Sequence, residues 1–254
     1  MSWGTRRRNT IVTIFVFIVL VISGIYAFDA LYEPPNCFDG KHNGNEVGVD
    51  CGGSCVILCS SQVIDPIVRW TRLFEVSPGI YNVLAYVENQ NPTGELKNVE
   101  YRFRIFDENN ALLRERKGEI GIPPKTIVPI IENSLVAGKL DASRISFDFV
   151  GDLVWTRGEL DEPVIIIQDE EILNVEDEPR IIATLSNTDI VPVTNLRVVA
   201  IVYNKDDNAI ASSNTILERV PAGGNAQVFF TWPKPFSDEI SRFEIIPLYE
   251  RSSN

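Results

Sequence analysis

The sequence predicts a mainly β protein made of one N-terminal transmembrane helix, a disulfide-stapled neck and two tandem antiparallel β-sandwiches. Three observations carry the prediction. Ile11–Phe28 is an uncharged apolar run, all four cysteines crowd between Cys37 and Cys59, and beyond Ser60 the chain repeats itself in strand-like segments. Length and composition agree: 254 residues, 44% hydrophobic, with 15 prolines and 16 glycines, suit a folded chain of about two ordinary domains. In order, the segments are a cytoplasmic tail at 1–10, an anchor at 11–28, a Cys-rich neck at 29–62, and β-sandwich repeats at 63–160 and 161–254.

The anchor has only Thr13 and Ser23 as polar interruptions, and its 18 residues reach the length a helix needs to cross a bilayer. Arg6, Arg7 and Arg8 precede it while Asp29 and Glu33 follow. The positive-inside rule then leaves the N-terminus cytoplasmic and the bulk of the chain extracytoplasmic, in a periplasm or at the cell exterior. A cleaved signal peptide is the competing reading. Its small-x-small sites would end at Ala27 or Ala30, where Ile25 or Phe28 occupies the position that needs a small side chain, and no lipobox cysteine follows the run. An uncleaved anchor is therefore expected.

Translocation explains the cysteines. Outside the cytosol thiols oxidise, and a short segment too polar to build a core needs covalent closure. Cys37, Cys51, Cys55 and Cys59 are an even set that allows three pairings. Zinc is the rival, but the cysteines lack the C-x2-C knuckle of structural zinc sites, so two disulfides are favoured. Between them Asp39, Asn43, Glu46 and Asp50 are hard oxygen ligands on a glycine-punctuated loop that could turn inward around calcium, although their spacing is not that of an EF-hand. The competing reading is that they cap tight turns. The segment resembles a small cysteine-rich motif of secreted and surface proteins, C-x-D-G-x-x-N-G-x-E-x-G-V-D-C-G-G-x-C-x-x-x-C, over about 23 residues.

Beyond Ser60, VLAYVENQNP aligns with IIATLSNTDI and NVEYRFRIFDENNALL with NLRVVAIVYNKDDNAI. Asn89 and Asn187, Pro123 and Pro221, and Arg144 and Arg242 each stand 98 residues apart, which is a domain period and not that of a solenoid. Phe106 and Tyr203 stand 97 apart, which calls for one deletion and one insertion, both expected in turns. Val99, Tyr101, Phe103 and Ile105 alternate with Glu100, Arg102 and Arg104, as in a strand with one buried face. Further strands are predicted at Ile67–Val76, Ile80–Glu88, Thr126–Ile131 and Arg144–Trp155, so about six or seven strands per repeat point to the immunoglobulin-like type.

Val87–Asn89 and Leu185–Asn187, each followed by a long strand ending in an aromatic and a turn (Phe106–Asp107, Tyr203–Asn204) and then a proline, resemble the FxLYD-type and related late-embryogenesis-abundant-like domains. Asn110 and Asn208 replace the turn glycine, and Asn204 stands where aspartate is usual. The resemblance implies a non-enzymatic, often membrane-tethered extracytoplasmic module and carries no catalytic residue across.

In the second repeat Leu196, Val198, Ala200 and Val202 should face the core, yet Val199, Ile201 and Tyr203 make the opposite face apolar as well. Such a strand needs a cover: the first repeat, a second chain, or a loop of its own. As a partner-facing surface, these three would be the docking interface of an accessory subunit of a membrane complex.

Catalysis finds little support. The lone histidine, His42, sits in the cysteine loop without a nucleophile, and no G-x-S-x-G, P-loop, H-E-x-x-H or G-x-G-x-x-G is present. The acidic groups Asp169–Glu171 and Asp177–Glu178 read as solvated charges, with a carboxylate-dependent hydrolase the least favoured class. A net charge of −12 opposes nucleic-acid binding. The expectation is a non-enzymatic binding or scaffolding protein of the cell envelope that meets a protein or glycan.

Overall fold

The computed structural model describes residues 3–32, 36–137, 141–159 and 164–248. The expected repeat boundary at 160/161 lies outside them. The chain forms two compact units, Met1–Cys55 and Val56–Asn254.

In the first unit, α1 (Trp3–Leu31) carries the apolar stretch Arg8–Asp29, 22 residues of mean hydropathy 2.8 and none of it buried. It is long and apolar enough to cross a membrane. Within Ile11–Phe28 two hydroxyls bond back to their own helix, Thr13 Oγ1 to Asn9 O at 2.9 Å and Ser23 Oγ to Leu20 O at 3.0 Å, so neither presents an unpaired donor to a surrounding apolar medium. The cysteine loop follows.

Among the described residues, the regular elements of the second unit are antiparallel strands and a short 3₁₀ turn at Ser60–Gln62. Its first half contains β1 (Ile67–Ser77), β2 (Ile80–Glu88), β3 (Gly94–Phe106), β4 (Leu112–Ile122), β5 (Ile127–Val136), β6 (Arg144–Val150) and β7 (Thr156–Arg157). They form one sheet in the order β1-β2-β5 and another in the order β4-β3-β6, with β7 added beside β3. Val83, Ala85 and Val87 of β2 meet Val99, Tyr101, Phe103 and Ile105 of β3 in a shared core, so the period-two pattern points its apolar face inward as expected. β6 ends sooner than the predicted Arg144–Trp155, because Gly151 adopts φ +80° and turns the chain. Gly118 on β4 leaves the room that Tyr101 occupies, since a Cβ there would collide with the phenol.

The segment Val56–Gln62, which the sequence suggested belongs to the neck, is joined to this half. Leu58 N donates to Trp155 O (2.9 Å), Arg157 N donates to Val56 O (2.7 Å), and Leu58 enters the core. Asn91 clamps the next residues through both atoms of its amide, accepting from Ile64 N and donating to Ile64 O.

The second half contains β8 (Ile165–Leu173), β9 (Arg180–Asn187), β10 (Val193–Asn204), β11 (Ala209–Val220), β12 (Asn225–Thr231) and β13 (Ile240–Leu248). Its sheets run β8-β9-β12 and β11-β10-β13, the strand order of the first half. Leu196, Val198, Ala200 and Val202 face its core, as predicted.

Equivalent side chains do equivalent work. Asn89 and Asn187 are both buried and pin the turn that follows: Asn89 Nδ2 donates to Gly94 O (2.7 Å) and Pro123 O (2.8 Å), and Asn187 Nδ2 to Val191 O (2.9 Å). Arg144 lies 4.1 Å over the Phe106 ring and Arg242 3.7 Å over the Tyr203 ring. In the β3–β4 and β10–β11 hairpins the left-handed residues are Asn110 (φ 62°) and Asp207 (φ 59°). Asp207 therefore corrects the expectation for Asn208, because the 97-residue offset still holds at that turn. The compensating insertion also falls in a strand. Leu96–Val99 opposes the shorter Ile120–Ile122 across a bulge in the first half, whereas Val193–Leu196 opposes Leu217–Val220 without one.

Candidate functional site

The cysteine loop is fully oxidised. Cys37 is bonded to Cys55, and Cys51 and Cys59 are oxidised too, so no cysteine is free. The four oxygen-bearing residues are brought near one another, but mainly to hold the backbone. Asp50 accepts from Asp39 N (3.0 Å) and Gly40 N (2.9 Å). Asp39 accepts from Lys41 N (2.8 Å) and Asn43 Nδ2 (2.8 Å), and Glu46 Oε2 from Asn43 N and Asp50 N. His42 Nε2 donates to Glu46 O (2.9 Å), a turn contact with no nucleophile beside it. Among the described residues, the only three-member group of closely spaced metal-ligating atoms is Cys37, Glu46 and Cys55, and its two sulfurs are the disulfide. Gly53, at φ +58°, must lack a Cβ because one would strike the Asn45 carbonyl.

The larger arrangement is the seam between the halves of the β unit. Phe74, Leu84 and Ile131 from the outer face of β1-β2-β5 pack on Val199, Ile201, Tyr203 and Ala209 from the outer face of β11-β10-β13. Leu84, Val199 and Ile201 are 0% exposed and Tyr203 3%. The three residues expected to meet a partner are thus together, but their cover is the first half. This corrects the docking expectation: Val199, Ile201 and Tyr203 have no surface left to offer another chain.

The two facing sheets run crosswise. Asn82 Nδ2 on β2 donates to Ser212 O of β11 (3.2 Å), whereas Tyr86, further along the same strand, reaches Glu244 of β13 (3.0 Å). Arg72 of β1 bonds Asn208 (3.1 Å) at the β10–β11 turn, and Asn133 of β5 bonds Asn214 further down β11. Moving along β2 therefore crosses the second sheet, and moving from β1 to β5 follows its length.

One edge of the seam is a polar lock. Glu244 Oε2 accepts from Tyr86 OH (3.0 Å) and Tyr203 OH (3.1 Å), one phenol from each half, while Oε1 accepts from Arg242 Nη1 (2.5 Å). Trp70 stacks on Tyr86 with centroids 4.9 Å apart and sets its edge to Tyr203 at 6.4 Å. Burial first, and the Glu244 charge second, push the Tyr86 phenol up to about 12; the same causes raise Tyr203. Both remain neutral donors at ordinary pH. The donors and acceptors satisfy one another, which suits a lock between two sheets.

Sequence reasoning identified the second apolar face of β10 and missed its counterpart on β2. The signal was present, since Leu84 and Tyr86 extend the apolar character of Ile80–Val87 to the outer strand face, beside Asn82. Elsewhere, an open cleft of about 670 Å³ between β1 and β6 is lined by Arg72, Glu75, Tyr81, Asp141 and Arg144, charges of both signs. The carboxylates Asp169–Glu171 lie exposed at a bulge in β8. No family model and no curated protein matches the chain.

Proposed function

We propose that this chain is a membrane-anchored, extracytoplasmic binding or scaffolding protein of the cell envelope, with α1 spanning the bilayer and two tandem immunoglobulin-like sandwiches of the FxLYD or late-embryogenesis-abundant-like kind outside it. It is non-enzymatic, and its partner is a protein or glycan. One observation carries the reading: a lipid-compatible helix leads directly into a fully oxidised cysteine loop, followed by a β unit of two similarly ordered halves. Disulfides persist where thiols are oxidised, so the loop supports export of everything after the helix. An accessory-subunit role would have to use surfaces other than Val199, Ile201 and Tyr203.

The test is crosslinking and recovery of the full-length protein from its native membrane, with partners and N-terminus read by mass spectrometry and thiols by maleimide labelling. We expect Ile11–Phe28 to remain attached, all four cysteines to resist labelling until reduced, and an envelope protein or glycan to be captured. A mature N-terminus beyond Phe28, or thiols reactive without reduction, would overturn the anchor and the export respectively. A single stoichiometric membrane complex would replace the free-standing scaffold with the subunit reading.

A further inference from the structure

We infer that the β unit is a self-limiting stack: the contact joining its halves is of a kind that can repeat, and residue replacements on the two remaining faces stop it at two. The inference rests on reading the halves as copies of one domain, and not on membrane topology.

The seam joins unlike faces. The first half contributes the outer face of β1-β2-β5, and the second contributes the outer face of β11-β10-β13, the counterpart of β4-β3-β6. A contact between two different faces is head-to-tail and does not close on itself, so further copies could add at either end. The faces left open are β4-β3-β6 and β8-β9-β12, the counterparts of the two already joined.

Ladder positions show what has changed on each. On β4-β3-β6, Arg102, Arg104 and Asp148 occupy the places that Val199, Ile201 and Ile246 hold in the seam. Their charges are paired in the plane of the sheet, Arg102 Nη2 to Asp148 Oδ2 at 2.6 Å and Arg104 Nη2 to Asp148 Oδ1 at 2.8 Å, and each side chain keeps about a third of its surface in water. Covering this face would strip water from ions that gain no new partner. On β8-β9-β12, Gln168, Arg180 and Thr184 stand where the seam has Trp70, Asn82 and Tyr86. The aromatic stack and one phenol of the lock are absent there. Ile182 and Phe229 still hold the positions of Leu84 and Ile131, and Phe229 is 50% exposed, a remnant of the joining surface. Polar terminal faces of this sort keep stacked repeats soluble. The β unit is then a two-part body without a hinge at the seam, presenting a charged face and a mixed face at opposite ends of four sheet layers.

The test uses the full-length protein in nanodiscs. Every native cysteine is oxidised, so Thr184→Cys or Arg104→Cys introduces the sole free thiol on one open face. With a short bismaleimide, the two chains mixed one to one should give no crosslinked dimer, and a dimer joining the two positions, or either position to itself, overturns the inference. The converse arm returns the seam residue to six of the changed positions in one chain, with Arg102→Val, Arg104→Ile, Asp148→Ile, Gln168→Trp, Arg180→Asn and Thr184→Tyr, while Ser146 stays at the place of Glu244. Light scattering should then show head-to-tail oligomers, and the native chain should run as a single copy. A folded six-residue variant that stays single overturns the inference. If that chain fails to fold, the two three-residue variants mixed one to one give the same readout: a complex that neither forms alone supports the inference, and its absence overturns it. These readouts do not depend on which side of a membrane the β unit lies, so a failed anchor reading would leave them unaffected.

Discussion

Leu84→Ala probes whether the two halves behave as one body. Leu84 is fully buried at the centre of the seam, on the outer face of the middle strand of β1-β2-β5, and contributes to neither half's own core. Truncating a buried leucine costs about 3 kcal/mol, from lost transfer energy and the cavity left behind. At about 1.4 kcal/mol per tenfold, the equilibrium for opening the seam should rise by roughly 100-fold. Its counterpart Ile182 sits on an open face with only partial burial, so Ile182→Ala should cost about 1 kcal/mol or less. The assay is hydrogen exchange of the full-length protein read by mass spectrometry in peptides from Ile80–Glu88 and Val193–Asn204. Leu84→Ala should reduce protection in both peptides, although they belong to different halves, because opening the seam exposes β2 and β10 together. Faster exchange confined to the first half would refute the coupling, as would equal costs for Leu84→Ala and Ile182→Ala.

Asn89→Ala should lower stability by about 3 kcal/mol and Asn187→Ala by about 2, measured by urea unfolding. Each leaves buried carbonyls unpaired, and Asn89 makes the shorter bonds to two of them. In alkali the sign follows from Tyr86. Its folded pKa is raised from 10.0 to about 12, so its contribution is complete below about pH 10 and is lost as pH climbs through 12; the urea midpoint should fall over that window, less steeply in Tyr86→Phe. Cys37→Ser with Cys55→Ser removes closure over a sequence separation of 18, worth about 3 kcal/mol to the loop, and should expose Asn36–Cys55 to protease while Val56–Leu248 stays resistant. Asp50→Asn should loosen the same loop, because the Asp50 oxygens hold Asp39 N and Gly40 N, and millimolar calcium should leave the native loop's protease resistance unchanged.

What could be read along the chain was whatever depends on neighbours in sequence. Alternation at Val99–Ile105 marks a strand because successive side chains point to opposite faces whatever lies beyond them. The apolar run marks a lipid-compatible helix because length and hydropathy suffice. Left-handed turn positions were legible only as well as the local offset, which is why Asn208 stood in for Asp207. The cysteine loop was legible as oxidised, though its three pairings were separated only when the turns around Gly48 and Gly53 brought Cys37 to Cys55.

By itself, then, the sequence determined the membrane-length helix, the oxidised loop, the β class and the 98-residue correspondence, all of which are written in local periodicity, composition and spacing. Only the tertiary structure decided what covers β10. An apolar second face states that burial is required without naming the occupant, since hydrophobic attraction has no direction and little specificity of its own. The first half, a second chain or a loop would each have removed the same surface from water. The choice fell to shape and polar matching between parts far apart in the chain: Leu84 and Ile131 against Val199 and Ile201, and Tyr86 with Tyr203 on a single Glu244 carboxylate.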